Sequence, residues 1–165
     1  MAGEVSFDVV SDFDRQELVN ALDQVRREVA ARFDFRNVPV DLELGRDEIM
    51  LRTSDEFRAK AVRELMESKA VRRGLSLKVF DWGTVEPAGK DAVRQRIGLR
   101  RGLDEDLAKR ISKLVRDEFP KVRPQIQGDA VRVQGKSKDE LQKVIARLRQ
   151  ASEDYPVPIQ FENYR

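Results

Sequence analysis

A short hairpin that runs straight into a helix occurs twice in this chain, and that repetition restricts the fold more than any other feature. In the second copy, VRPQIQGDAVRVQGKSKDELQ, Gln125 and Gln127 flank Ile126, and Val131 and Val133 flank Arg132. Period-two alternation of this kind marks half-buried strands with the apolar side turned inward. Gly128-Asp129 lies between them, where glycine reaches positive φ cheaply. Ser137 to Glu140 then fits a capping box, and Leu141, Val144, Ile145 and Leu148 follow at helical spacing. The first copy, PVDLELGRDEIMLRTSDEFRAKAVRELM, has the same parts. Val40, Leu42 and Leu44 alternate, Gly45-Arg46-Asp47 turns, and Ile49 and Leu51 alternate again. Thr53 to Glu56 reads as its capping box, with Phe57, Ala61 and Leu65 carrying the helix.

The repeat extends to both sides. A strand at Val5–Val10 and a helix from Asp14 to Arg32 precede the first hairpin, with Leu18, Leu22, Val25 and Val29 on one stripe and Phe33 continuing it. A strand at Ala92–Leu99 and a helix from Asp104 to Glu118, carrying Leu107, Ile111 and Leu114, precede the second. Each copy closes with another strand, Leu75–Phe80 and then Val157–Phe161. Each half therefore reads β-α-β-β-α-β, the split βαβ of the ferredoxin-like fold, in the α+β class. Such self-similarity points to an internal duplication. The Gly- and Pro-containing stretch DWGTVEPAGKD, 81–91, reads as the connector, with Trp82 either covering the seam between domains or stacking on a base.

Composition removes several kinds of chemistry. The 165 residues include no cysteine and no histidine. Disulfides, thiolate metal sites and Ser-His-Asp hydrolysis are excluded, and the commonest general base is missing. No GxxxxGK[ST] or GxGxxG is present to cradle phosphate. The expectation is a protein without enzymatic activity, without a cofactor and without a bound metal. No apolar run reaches the roughly 18 residues of a membrane span, and the start MAGEVSFDVV lacks the basic and apolar regions of a signal peptide. A cytoplasmic location and no membrane partner are expected. The net charge of +2 is uneven: residues 1–87 carry −4 and the rest +6, and arginine outnumbers lysine 22 to 10. A positive, arginine-rich second half suits a phosphate-bearing partner, or merely offsets the acidic first half.

Five blocks carry a resemblance over the whole length: VSFDVVSDFD, ARFDFRNV, GTVEPAGKDAVRQ, QIQGDAVRVQGKSKDELQ and PIQFENYR. In these the chain resembles the bacterial YajQ family of nucleotide-binding proteins. The resemblance departs at Ala88-Gly89-Lys90-Asp91, where a second glycine is expected after Gly89. It implies two ferredoxin-like domains that exchange their first strands: one spanning 11–100 with strand 92–99 contributed from the second repeat, the other 1–10 plus 101–165 with strand 5–10 contributed from the first. The pattern of residues alone fits unexchanged tandem domains equally well. The resemblance further implies binding of a nucleotide (cyclic di-GMP, GTP or ATP) or of nucleic acid, a protein partner in transcription, and no enzymatic activity. A protein-interaction scaffold is a third reading.

Alternation also predicts what the sheet faces turned away from the helices carry: Gln125, Gln127, Arg132, Gln134, Gln160, Glu162, Ser6 and Asp8 in one half, and Asp41, Glu43, Met50, Arg52, Lys78, Arg94 and Arg96 in the other. Neither DAVRVQGK nor DEIMLRTS has an aromatic, so base stacking of the RRM type, at about 1–3 kcal/mol per base, is missing. Hydrogen bonding and arginine remain, which suits phosphate or a guanine edge. The candidate ligands are Arg36, Arg94, Arg96, Gln127, Arg132 and Lys136. If they bind, Arg94, Arg96, Arg132 and Lys136 should line concave surface and lack close carboxylate partners. The alternative is an ordinary polar sheet face, with Arg132 paired to Asp8 or Glu162.

Overall fold

The structure is a computed structural model that describes residues 3–165. Residues 1 and 2, at the head of the expected 1–10 segment, lie outside the described residues. In chain order the elements are β1 (Val5–Val10), α1 (Arg15–Ala31), β2 (Asp41–Leu44), β3 (Glu48–Thr53), α2 (Glu56–Arg72), β4 (Phe80–Pro87), β5 (Val93–Leu99), α3 (Glu105–Glu118), β6 (Arg123–Gln127), β7 (Ala130–Gly135), α4 (Lys138–Ala151) and β8 (Gln160–Glu162). They form two compact units. The N-terminal unit is Phe13–Arg100, and the C-terminal unit joins the chain up to Asp12 with Arg101–Arg165.

Each unit has one four-stranded sheet, ordered β2-β3-β5-β4 in the N-terminal unit and β6-β7-β1-β8 in the C-terminal one. All pairings are antiparallel. Each unit is a ferredoxin-like βαββαβ layer pair. The strand that opens the chain pairs with β7, Val5 opposite Gly135 through Val9 opposite Val131, while β5 pairs with β3.

The helices start where short acceptors sit. Asp14 Oδ1 accepts from the amides of Gln16 and Glu17, Asp104 from Leu107, and Ser137 from Glu140. Their buried stripes are Leu18, Leu22, Val25 and Val29 on α1, Leu107, Ile111 and Val115 on α3, and Leu141, Val144, Ile145 and Leu148 on α4.

Several expectations are corrected. The cap of α2 is Asp55, which accepts from the Arg58 amide. Thr53 is instead buried, its hydroxyl donating to the Pro39 carbonyl at 2.8 Å. The face of α2 that packs inward is Ala59, Val62, Met66 and Ala70, and Phe57 is 70% exposed. Phe57 stands two residues before Ala59, about 200° round the helix from that stripe, so it faces solvent whatever its apolarity. Phe33 is 84% exposed, because α1 stops at Ala31 and a 3-10 turn, Phe33–Phe35, sends Phe35 into the core.

The strand expected at 75–80 is a 3-10 turn at Leu77–Val79, which places Lys78 off the sheet. β4 follows, running through most of the expected connector. Trp82 is accordingly a sheet residue of the N-terminal unit, packed 5.7 Å from Phe80 with the Arg63 guanidinium 4.6 Å over its ring. The β4–β5 turn has Gly89 at φ 82° and Asp91 at φ 59°. Gly83, at the irregular step in the β4–β5 pairing, has no room for a side chain: a Cβ would meet the Arg96 carbonyl at 2.6 Å. Val157 is buried ahead of β8, and Ile126 is 41% exposed on the edge strand β6 rather than in the core.

Candidate functional site

Cross-strand register decides what each sheet face presents. In the C-terminal unit, Gln125, Arg132, Asp8 and Glu162 stand in one row across β6, β7, β1 and β8. Asp8 is only 7% exposed. Arg132 grips it in a fork, Nε donating to Oδ1 at 2.9 Å and Nη2 to Oδ2 at 3.3 Å. Asn163 Nδ2 donates to Oδ2 at 2.9 Å. Arg132 is thus committed to a carboxylate, the arrangement of an ordinary polar sheet face.

The hydrogen-bonded Arg132 guanidinium holds the Asp8 carboxyl below its ordinary value, with the Asn163 amide adding to it and partial burial opposing. Its folded pKa lies below its unfolded one, so its stabilisation is complete above about pH 4 and is lost as pH falls through the folded value. Asp8→Asn should therefore lower stability at pH 7 by about 1–3 kcal/mol, the range for a charged hydrogen bond in a partly buried place. The deficit should shrink below pH 4, as urea melts at pH 7 and pH 3 would show.

In the N-terminal unit, Asp41, Arg52, Arg94 and Glu86 form one row, and Met50 stands opposite Arg96. Arg94 Nε lies 3.6 Å from Glu86 and Arg96 Nε 2.9 Å from Glu48. These pairs are exposed and weak, about 0–1 kcal/mol each. The expectation that the sheet arginines lack close carboxylates fails for Arg94, Arg96 and Arg132. Arg36 follows the Phe33–Phe35 turn, exposed, with no side-chain partner among the described residues.

The six sequence candidates fall in both units: Arg36, Arg94 and Arg96 in the N-terminal one, Gln127, Arg132 and Lys136 in the other. Within the latter, Gln127 and Lys136 flank opposite ends of the hairpin, separated by roughly 20 Å of strand at about 3.3 Å per residue. Lys136 lines a concave surface.

That concavity, about 310 Å³, is bounded by Lys121, Arg123, Gln134, Lys136, Ser137, Glu140, Glu4 and Gly135. The ladder pairs Arg123 with Gln134, which brings the residues before β6 beside those after β7. Arg123 bonds the exposed Glu4 carboxylate, while the ammoniums of Lys121 and Lys136 have no partner among the described residues. Lys121 and Arg123 were not among the sequence candidates. The hairpin register could have found them, since a two-residue turn at Gly128-Asp129 places 121–123 against 134–136.

Among the described residues no group of three or more carboxylates is placed to hold a metal ion, and no helix is long and apolar enough to cross a membrane. Compared with known proteins, residues 5–165 match the model of a family described as nucleotide-binding protein YajQ-like. The chain belongs to the YajQ family. A relative in Chloroflexus aggregans, named nucleotide-binding protein, is 54% identical over 165 residues, covering 100% of both chains. One in Trichodesmium erythraeum with the same name is also 54% identical, and one in Roseiflexus castenholzii 50%, again over 100% of both chains. The YajQ model begins at β1 and ends at the last residue, so it takes in both units and both strands that cross between the halves.

Proposed function

We propose that this YajQ-family chain is a non-enzymatic nucleotide-binding protein. On this reading it takes the phosphates of a guanine nucleotide, cyclic di-GMP foremost, in the cleft of Lys121, Arg123 and Lys136. The carrying observation is that Lys121 and Lys136 bring two ammoniums with no partner among the described residues into a concave surface, while Arg132 is already held by the buried Asp8. Arg123 supplies a guanidinium fork, suited to bidentate phosphate contact. Its pairing with Glu4 is solvent-exposed, and exchanging such a pair for a phosphate costs little. Gln134 offers an amide donor and acceptor on the same wall. The names of the relatives in Chloroflexus and Trichodesmium support a nucleotide as the ligand class. A chain with no histidine or cysteine supports binding without turnover.

Calorimetric titration of cyclic di-GMP, GTP, ATP and a short RNA into the purified protein tests the reading. Lys136→Gln should weaken nucleotide binding by about tenfold, the loss of one charged hydrogen bond, and leave the melting temperature unchanged. Arg96→Gln should leave affinity unchanged. Equal affinity in Lys136→Gln, or binding of RNA alone with steep salt dependence, would remove the cleft from consideration.

A further inference from the structure

A second positive concavity lies on the helical side of the N-terminal unit. Gln24, Arg27 and Glu28 stand at i, i+3 and i+4 on α1 and so share one face. Lys69, Arg72 and the cap residue Arg73 do the same at the end of α2. The two helices pack side by side, and these six residues line a groove of about 620 Å³. Four of them are cations and one is a carboxylate. Lys69 lies 3.5 Å from Glu28, forming one neutral pair at the floor. Arg73 leans 3.5 Å from Glu17, outside the groove. Arg27 and Arg72 are exposed and have no partner among the described residues.

Basic residues in the last turn of α2 complement its dipole, which accounts for Lys69 and Arg72 on that helix alone. It does not account for Arg27, which α1 turns into the same groove. Like charges facing across a helix pair repel and stabilise nothing by themselves. The arrangement becomes favourable when an anion of several charges lies between them. The lining has no aromatic or aliphatic side chain, so nothing in it holds a base or an apolar peptide side chain. Recognition there works by charge and by guanidinium forks, which match phosphate oxygens.

We infer that the groove between α1 and α2 binds a compact linear oligophosphate, three or more phosphates in a chain, through Arg27 and Arg72. This inference does not rest on the Lys136 cleft. Sodium tripolyphosphate titrated into the full-length protein at low salt is the direct test. Saturable binding at one equivalent is expected, at least about tenfold tighter than orthophosphate, with Arg27→Gln and Arg72→Gln each weakening it about tenfold, as expected for a lost charged hydrogen bond. Arg27→Lys, which keeps the charge, should retain most of the affinity. Melts of unliganded Arg27→Gln should match the parent, since Arg27 has no partner among the described residues to lose, and Arg72→Gln should lower the midpoint only slightly, through the lost dipole complement of α2.

Lys136→Gln should leave tripolyphosphate binding untouched, and Arg72→Gln should leave cyclic di-GMP binding untouched, so failure of one site is told apart from failure of the other. Absence of saturable binding would overturn the inference, as would affinity indifferent to both arginine substitutions. So would a short RNA or an anionic vesicle binding through the same arginines while tripolyphosphate does not.

Discussion

Residues 13–100, produced alone, fold cooperatively, whereas residues 101–165, produced alone, do not. This is the expected result of dividing the chain at its midpoint. The N-terminal unit is continuous in sequence and contains its complete sheet. The other unit lacks a central strand without β1, which lies between β7 and β8. Removing it takes away Phe7 and Val9, both fully buried, and leaves the three residues of β8 with no neighbour. A buried Phe is worth about 3–5 kcal/mol on truncation and a Val side chain about 1.5–3 kcal/mol. With the ladder hydrogen bonds, the loss matches the whole stability of an ordinary domain, about 5–15 kcal/mol. A peptide of residues 4–12 added to the isolated 101–165 fragment should restore a cooperative transition, with a midpoint that rises with peptide concentration. Urea melts followed by circular dichroism check both halves of the prediction. A cooperative transition for 101–165 without peptide would show β1 to be dispensable.

Point substitutions should act across the chain in the same way. Phe7, near the start, packs its ring 5.7 Å from Phe161 among the core residues of α3 and α4. Ile97, in the second repeat by sequence, is fully buried among those of α1 and α2. Phe7→Ala should cost about 3–5 kcal/mol and Ile97→Ala about 2–5 kcal/mol, as transfer plus cavity terms. In native-state hydrogen exchange, Phe7→Ala should release protection chiefly in α3, α4 and β7. Ile97→Ala should release it chiefly in α1, α2 and β3. The opposite assignment, each substitution loosening the helices of its own half of the sequence, would contradict the strand order.

What sequence reading captured is what neighbours in the chain decide. The hairpin at Gly128, the cap at Ser137, and the stripes of α1 and α4 are local signals, and the repetition of the hairpin and helix spelled out the ferredoxin-like class. The alternation of Val5–Val10 says which side of that strand is apolar, yet both sheets offer an apolar face, so residue pattern is silent on which one accepts it; the family resemblance carried that expectation. Phe57 and Phe33 were misread for a related reason. Apolarity marks what could be buried, while the angular position on α2 and the end of α1 decide what is.

The candidate site was legible only by residue type. Arg132 and Asp8 are 124 residues apart in sequence, and Glu48 meets Arg96 only through the β3–β5 register. Neither pairing is contained in any local window. The contribution of Lys121 and Arg123 beside Lys136 was within reach, because it follows from the hairpin alone.

The sequence separation of 124 between Asp8 and Arg132 also sets a timetable. On the ribosome, β1 leaves the exit tunnel first and its sheet is made last. At about 5–20 residues per second, an apolar strand waits roughly 6–25 s for its neighbours. Meanwhile the N-terminal unit can close as soon as β5 emerges, which leaves β1 as an unpaired leader on a folded body. During that interval Val5–Val10 is open to any exposed sheet edge in the cell, including the same strand site on another nascent copy, and a holding chaperone or slow translation of residues 101–165 would change the yield of correctly joined chains.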